Sequence, residues 1–356
     1  MMPSFVKRLL LQKAHKLLRH SSLRQIANLS GIAEKYGSNI ATTNPTIMTL
    51  NLNIKNLGYE IARNLQPNLH RINTSDEPRF YGLVSKATTQ DDIESGWFTY
   101  WCSEIKAAPI YHRKLWEFAF VLQALYDNNL LRPNVAGIGF GCGREPLASY
   151  FASKEMSVIV SDLEPKKVSG MGWAETGQHT TCKDLALYPE IVSKNTFDKK
   201  VSHRYIDMNS IPDMDTRFDF CWSVCAMEHL GSIKQGLDFV EASLKLLKPG
   251  GIAIHTTEYN YSSAETIEYG PTVLFTKHHF THLADILLKQ GHQLLGPDFR
   301  IGSGFLDRFV DVPPYFVGEG GLSSAQWSEA NQLAHLKLLI GDFRCTCFGI
   351  IVKKAG

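Results

Sequence analysis

The sequence predicts an α/β protein with a doubly wound, mostly parallel, seven-stranded sheet and a mainly helical N-terminal accessory segment. An apolar stretch runs directly into closely spaced glycines at 141 and 143. From there to the C-terminus, strand-like and helix-like patterns alternate, as a parallel sheet with crossover helices requires. With 356 residues, 44% of them hydrophobic, the chain can bury one large core and still carry an accessory segment.

Each element follows from local periodicity and from turn residues. The Lys248–Gly251 stretch, for example, ends a helix and turns the chain into the next strand, because glycine and proline are typical of helix C-termini. Strands are expected near 135–139, 157–161, 203–206, 218–223, 251–257, 293–297 and 346–353. Helices are expected near 57–65, from about 110 onward, and near 146–152, 236–247 and 279–289.

Three parts are predicted along the chain. Residues 1–36 form a basic amphipathic helix, residues 37–130 an accessory segment that becomes aromatic-rich and helical toward its end, and residues 131–356 the ligand-binding domain. This domain carries insertions at 163–202 and 298–343, which exceed an ordinary crossover. Long insertions at the carboxyl edge of such a sheet are where binding pockets and lids are built.

The N-terminal segment has six basic residues and no acidic residue before Glu34. Its apolar and basic residues interleave, so three interpretations are open: a helix packed on the domain, a peripheral contact of residues 5–20 with an anionic membrane surface, or a mitochondrial presequence. The expected location is the cytoplasm, with peripheral attachment to a membrane as the alternative.

Composition excludes several classes of protein. The formal net charge is only +2, and no arginine-rich stripe or aromatic nucleic-acid motif is visible, so no nucleic-acid partner is expected. Seven cysteines without a C-x-x-C pair argue against a disulfide framework or a zinc knuckle. His278, His279 and His282 could share a helix face, but solvated or helix-capping roles are favoured, and no metal site is predicted.

The glycine turn predicts a nucleoside site. Closely spaced glycines let backbone N–H groups approach a ligand, and Asp162 follows about 20 positions later at the end of the next strand, where a carboxylate can bind both ribose hydroxyls. Glu145 lies where the following helix opens. An acid at this position would repel a pyrophosphate but tolerate an ammonium group, so the turn favours S-adenosylmethionine over NAD.

From about Val135 to the C-terminus the chain resembles the class I S-adenosylmethionine-dependent methyltransferases. The likeness consists of the glycine turn, Asp162, and, in order along the chain, Asp207-Met208, Phe218–Val224 with Glu228-His229, and Leu247–Gly251. It implies a Rossmann-like methyltransferase fold with S-adenosyl-L-methionine as cofactor. It also implies that Gly139, Gly141 and Gly143 line the methionine end, that Asp162 holds the ribose, and that Asp207 and Met208 meet the adenine.

One departure from the family affects the methionine end. Gly139 stands where the family usually has an acid, so the ammonium group must rely on backbone carbonyls or on another acid such as Glu145. Ser223, at the end of the fourth strand, is a further candidate for cofactor binding.

Methyl transfer requires alignment of the acceptor and removal of its proton. His229 is the first candidate for the general base, because imidazole titrates near neutrality, and Glu228 beside it is also a candidate catalytic residue. The competing interpretation is that Glu228 and His229 cap the next helix or fix the methionine end. Glu258 is a second candidate for the base, with a structural role at the strand end as its alternative. His255 lies three residues from Glu258 in the same strand, so the two side chains should point to opposite faces.

The sequence thus predicts a methyltransferase that moves a methyl group to an oxygen or nitrogen of a small-molecule or glycan-type acceptor. A non-catalytic S-adenosylmethionine-binding protein, acting through partner or membrane-surface contacts, is the alternative. An NAD-dependent oxidoreductase conflicts with Glu145.

Overall fold

The computed structural model describes residues 45–69, 78–164, 182–313, 315 and 334–356. The predicted basic helix at 1–36 lies outside these residues, as do residues 165–181 of the first predicted insertion and residues 314 and 316–333 of the second. The chain divides into two compact units, one of residues 1–54 with 340–342 and one of residues 55–339 with 343–356. In the first unit, residues 45–54 are helical and mostly exposed. The second unit holds the sheet and every predicted site residue.

The described part of the chain contains eleven strands, nine α-helices and two short 3₁₀ helices at Lys183–Ala186 and Met227–His229. The strands are β1 (Lys86–Ala87), β2 (Tyr111–His112), β3 (Ala136–Phe140), β4 (Ser157–Asp162), β5 (Val201–Tyr205), β6 (Phe218–Val224), β7 (Leu247–Asn260), β8 (Gln293–Leu294), β9 (Ala334–His335), β10 (Lys337–Ile340) and β11 (Phe343–Lys353). The helices are α1 (Pro45–Leu69), α2 (Gln90–Ile93), α3 (Gly96–Glu104), α4 (Arg113–Asp127), α5 (Leu147–Ser153), α6 (Lys194–Lys200), α7 (Ile233–Lys245), α8 (Lys277–Lys289) and α9 (Phe305–Arg308).

The main sheet has the strand order β1-β11-β7-β6-β3-β4-β5, and β8 also pairs with β11. Strands β3 to β7 run parallel, whereas β11 is antiparallel to β7. The chain builds outward from β3 to β4 and β5, then returns to the other side of β3 for β6 and β7. The predicted doubly wound, mostly parallel sheet is confirmed, but within the described residues it has nine strands rather than seven, because the short strands β1 and β10 also pair with β11. The seven predicted strands are β3, β4, β5, β6, β7, β8 and β11.

Several predicted boundaries were wrong. The helix expected at 57–65 extends over Pro45–Leu69. Its buried residues Tyr59, Ala62 and Leu69 share one face, whereas its first ten residues are mostly exposed. Helix α3 was not predicted as a helix at all, although Ser95 accepts a hydrogen bond from the Phe98 N–H as its N-cap. Aromatic density conceals helical periodicity when nearly every position is apolar.

Helices cover both faces of the sheet with separate apolar layers. On one face, Phe120 of α4 and Phe151 of α5 belong to a cluster that includes Trp222 of β6. On the other face, Phe239 of α7 and Phe280 of α8 belong to a second cluster. This arrangement fixes α4 over β6, β7 and β11, and so determines which residues of α4 reach the carboxyl edge.

No described helix has both the length and the apolar character that a membrane span requires.

The contact between α4 and β11 predicts a stability effect. A Cβ at Gly349 would overlap the ring of Phe120, which is fully buried and stacks on Trp116. We expect Gly349→Ala to lower the free energy of unfolding by about 1–3 kcal/mol, the usual cost of overpacking. Urea unfolding of the full chain measures this. Gly96→Ala is the matched control, because a Cβ there meets no atom within 4 Å among the described residues. An equal effect of both substitutions would contradict the packing argument.

Candidate active site

The order of the strands reverses between β3 and β6, and the carboxyl edge of the sheet at this reversal is here called the crevice. These strands are paired through Phe140 and Ser223, and the chain leaves them in opposite directions. Gly141 follows β3 with a φ of +58°, and a Cβ there would lie only 2.8 Å from the Cβ of Ala226, in the turn after β6. Ligands of open α/β sheets bind at this kind of reversal in strand order. Glycine at 141 is therefore what lets the two turns approach each other this closely.

Three residues predicted to bind the cofactor line the same edge as Gly141. Asp162 ends β4, and its buried carboxylate accepts a hydrogen bond of 2.9 Å from the Leu163 N–H. The Sδ of Met208 lies 3.5 Å from the position that a Cβ would take at Gly141. Asp207 accepts a hydrogen bond from the Asn209 N–H, which shapes the turn after β5.

The other predicted glycines and Ser223 have packing environments of their own. Gly139 lies within β3, where a Cβ would overlap Trp222 and Cys142. Gly143 has a φ of +53° and completes the turn. The Ser223 hydroxyl lies 2.8 Å from Nδ1 of His255, so this side chain is already engaged in a buried hydrogen bond.

Glu145 turns inward beneath the glycine turn. Its carboxyl group accepts a hydrogen bond of 3.2 Å from the Trp222 indole, and the residue is buried. Burial raises the pKa of Glu145 well above its usual value, while the nearby charge of Lys114 opposes this shift. The structure therefore places an acid at the turn, as the sequence shows, but holds it against β6.

A second group of residues, here called the acid cluster, consists of Glu117, Cys225, Glu228 and Glu258. One carboxylate oxygen each of Glu228 and Glu258 and the Cys225 sulfur lie within 4.8 Å of one another. The same limit holds for Glu117, Cys225 and Cys347. Cys225, the first residue after β6, has a φ of +46°, a conformation that is strained for a residue other than glycine.

Hydroxyl groups of β7 hold two of the carboxylates. Thr256 donates a hydrogen bond of 2.6 Å to Oε2 of Glu117, and Thr257 donates one of 3.0 Å to Oε2 of Glu228. Because these threonines are adjacent in a strand, they serve carboxylates from two different elements, α4 and the turn after β6.

Two cations at the start of α4 border the acid cluster. Nη2 of Arg113 lies 2.5 Å from Oε1 of Glu258, and Nη1 donates to the Cys225 sulfur at 3.6 Å. Nζ of Lys114 lies 3.4 Å from Oε2 of Glu117. The cluster is therefore only partly neutralised by basic side chains.

One oxygen on each of two carboxylates has no partner. Oε1 of Glu117 and Oε2 of Glu258 are buried and make no hydrogen bond with the described part of the chain. Leaving such a group unsatisfied costs about 1–3 kcal/mol, so these oxygens require an explanation beyond folding. Burial, with a further contribution from Glu228, raises the pKa of Glu258 to about 7, although Arg113 opposes the shift. Burial also raises the pKa of Glu228.

His229 and Glu228 diverge although they are neighbours in the same 3₁₀ helix. Glu228 points into the acid cluster, whereas Nδ1 of His229 lies 2.8 Å from the Pro271 carbonyl oxygen. The structure thus brings together two of the three predicted catalytic residues, Glu228 and Glu258, and directs the His229 ring toward a different loop.

The other histidines behave as the sequence indicates. Nδ1 of His279 accepts a hydrogen bond from the Thr276 N–H at the start of α8, so this residue caps the helix. His255 lies between the hydroxyls of Ser223 and Ser243, whereas Glu258 contacts Arg113, so the predicted separation of His255 from Glu258 is confirmed.

Sequence reasoning missed the contribution of α4. Glu117 and Gln123 are fully buried polar residues in an otherwise apolar stretch of this helix, and that contrast was the available signal. It also missed His335, whose Nδ1 lies 2.7 Å from Oδ2 of the buried Asp311, because the two residues come from distant segments.

No protein-family model and no curated protein sequence matches this chain. Among solved structures, it is similar to a putative sarcosine dimethylglycine methyltransferase from Galdieria sulphuraria, with 13% identity, 73% of this chain and 99% of that chain covered, and a TM-score of 0.42. A putative methyltransferase from Bacillus halodurans has 14% identity, 66% and 99% coverage, and a TM-score of 0.38. CalS10, an amino pentose methyltransferase from Micromonospora echinaspora with bound S-adenosylmethionine, has 12% identity, 65% and 90% coverage, and a TM-score of 0.35. Such identities and scores do not assign an activity to this chain.

The environment of His255 predicts a pH effect on stability. Burial lowers the pKa of His255 from 6.5 to about 3. Between these two pH values the unfolded chain binds a proton at this residue and the folded chain does not. The free energy of unfolding should therefore fall by about 1.4 kcal/mol per pH unit from this residue as the pH drops from 6 to 4. Urea unfolding of the wild type and of His255→Gln across this range isolates the effect. Parallel pH profiles for the two proteins would contradict it.

Proposed function

We propose that this protein is an S-adenosylmethionine-dependent methyltransferase acting on an oxygen or nitrogen of a small-molecule or glycan-type acceptor. The observation that carries the proposal is the crevice between β3 and β6, with the Gly141 turn on one side, Ala226 opposite, and Asp162 at the end of the neighbouring strand. This is the position that nucleoside ligands take in doubly wound sheets.

The residues along the edge suit an adenosine bearing an amino acid. Asp162 offers a buried carboxylate for ribose hydroxyls, and Met208 offers an apolar surface beside the turn. The turn also carries the carboxyl group of Glu145, which in its ionised form would repel a pyrophosphate. These features support S-adenosylmethionine over NAD.

When bound, S-adenosylmethionine supplies a methyl carbon that is already activated by its sulfonium. The protein must then align the acceptor, exclude water and accept a proton. The acid cluster is suited to these tasks because it gathers residues from the turn after β6, the end of β7 and α4 next to the crevice, and because its three carboxylates are buried.

We propose Glu258 as the general base. Its Oε2 is free to accept a proton, Arg113 fixes the other oxygen, and a pKa of about 7 lets the group be ionised near neutral pH while remaining basic. Glu228 would position the acceptor or the base, because its carboxylate lies beside that of Glu258 and the Cys225 sulfur. His229 would support the loop at Pro271, since its Nδ1 lies against that carbonyl.

Cofactor recognition is tested with Asp162→Ala. Losing a carboxylate that accepts hydrogen bonds from both ribose hydroxyls should weaken binding of S-adenosylmethionine and S-adenosylhomocysteine by about tenfold or more. Isothermal titration calorimetry measures both affinities, and Asp213→Ala, a substitution of an exposed acid, is the control. Absence of binding heat with the wild type, or tighter binding of NADH, would overturn the proposed function.

Catalysis is tested with Glu258→Gln and His229→Gln. For the wild type, we expect kcat/KM for S-adenosylhomocysteine release to fall as the pH drops below about 7, because the base becomes protonated. Glu258→Gln should lower kcat by about 10²–10⁴-fold without a matching loss of cofactor affinity, whereas His229→Gln should stay near the wild type.

The measurement is S-adenosylhomocysteine release across a panel of hydroxyl and amine compounds. Loss of turnover in His229→Gln with retention in Glu258→Gln would reverse the assignment of the base. Cofactor binding with no turnover on any acceptor would favour a non-catalytic binding protein.

A further inference from the structure

We infer that the acid cluster binds an amino group, so that the acceptor of this protein is an amine rather than an alcohol. The inference rests on the proposed function and specifies its substrate class. It is carried by the two buried carboxylate oxygens that lack donors and by the charge balance around them.

The unpartnered oxygens define where a donor is required. The Glu117 side chain has 0% exposure and that of Glu258 has 6%, and both belong to groups centred on the Cys225 sulfur. Oε2 of Glu117 is bound to Thr256 and Lys114, Oε2 of Glu228 to Thr257, and Oε1 of Glu258 to Arg113. The free oxygens therefore face a ligand rather than a structural partner.

The charges favour a cationic donor. Three carboxylates, Glu117, Glu228 and Glu258, are set against two basic side chains, Arg113 and Lys114. Burial raises the pKa of Glu228 and Glu258, so their ionised forms are disfavoured there, and an added positive charge would stabilise those ionised forms. A protonated amine supplies that charge.

Hydrogen-bonding capacity also favours an amine over a hydroxyl group. An ammonium group has three donors, whereas a hydroxyl has one, so an amine can donate to more of the cluster's oxygens than an alcohol can. Once bound, the ammonium can pass one proton to Oε2 of Glu258, which leaves the nitrogen with its electron pair and makes it a nucleophile. Glu117 keeps its hydrogen bond to the nitrogen through this change.

A metal ion is a poorer occupant of the same place. Burial raises the pKa of Cys225 well above its usual value and also raises the pKa of Cys347, so forming the thiolates that a metal ion binds costs free energy at this place. The Arg113 guanidinium already contacts Cys225 and Glu258 and would repel a divalent cation.

The experiment compares matched amines and alcohols on the full chain saturated with S-adenosylhomocysteine. The probes are glucosamine against glucose and benzylamine against benzyl alcohol. Binding of each probe is measured by saturation-transfer NMR and by the shift in Tm. We expect at least one amine to bind and its alcohol to bind at least tenfold more weakly. Glu117→Gln should weaken binding of that amine by about tenfold or more, whereas Glu241→Gln, which alters an acid in α7 outside the acid cluster, should not.

Several outcomes would overturn the inference while leaving the proposed function intact. These are equal binding of amines and alcohols, no amine binding although S-adenosylhomocysteine binds, or an unchanged amine affinity in Glu117→Gln. Stoichiometric binding of Zn²⁺ that Cys225→Ser abolishes would also overturn it. If Glu117→Gln does not fold, the inference is tested instead by amine binding to Glu258→Gln and by the comparison of each amine with its alcohol on the wild type. Failure to bind S-adenosylhomocysteine would instead refute the proposed function.

Discussion

The site depends on the close approach of two turns at the carboxyl edge of the sheet. The turn after β3 contains Gly141, and the turn after β6 contains Cys225 and Ala226, with only 2.8 Å between a Cβ at Gly141 and that of Ala226. Any larger side chain at 141 would force the turns apart and would also have to tolerate a positive φ. The same reversal in strand order that creates this crevice also brings Cys225 beside the carboxylates of the acid cluster.

The acid cluster shows how an unfavourable arrangement is kept in place by its surroundings. Burying three carboxylates around one sulfur raises the pKa of Glu228 and Glu258, and two oxygens lack donors. The arrangement is held by hydroxyls of β7 and by Arg113 at the start of α4, elements that the two apolar layers lock onto the sheet. Functional sites typically contain local arrangements of this kind, which are unfavourable in free energy and are held in place by a rigid scaffold.

Much of the fold could be predicted from the sequence because its signals are local. The glycine turn, the apolar strands and the Lys248–Gly251 turn each specify a backbone conformation within a few residues. The site was less predictable because its members converge from distant elements. Glu117 reaches the cluster only because α4 packs over β6, β7 and β11, and Glu145 turns toward Trp222, which lies on a neighbouring strand. Neither contact leaves a signal in sequence spacing.

The direction of a side chain was also beyond sequence reasoning. Glu228 and His229 are adjacent, yet one enters the acid cluster and the other meets Pro271, because the 3₁₀ helix turns their side chains apart. Spacing along the chain placed both near the crevice and could not distinguish them.

The most direct test of the central claim is a crystal structure of the protein with bound S-adenosylhomocysteine. The account predicts ribose hydroxyls on the Asp162 carboxylate and the homocysteine portion against the turn at 141–145. Density that places the nucleoside away from Asp162, or a phosphate against the Gly141 turn, would contradict it.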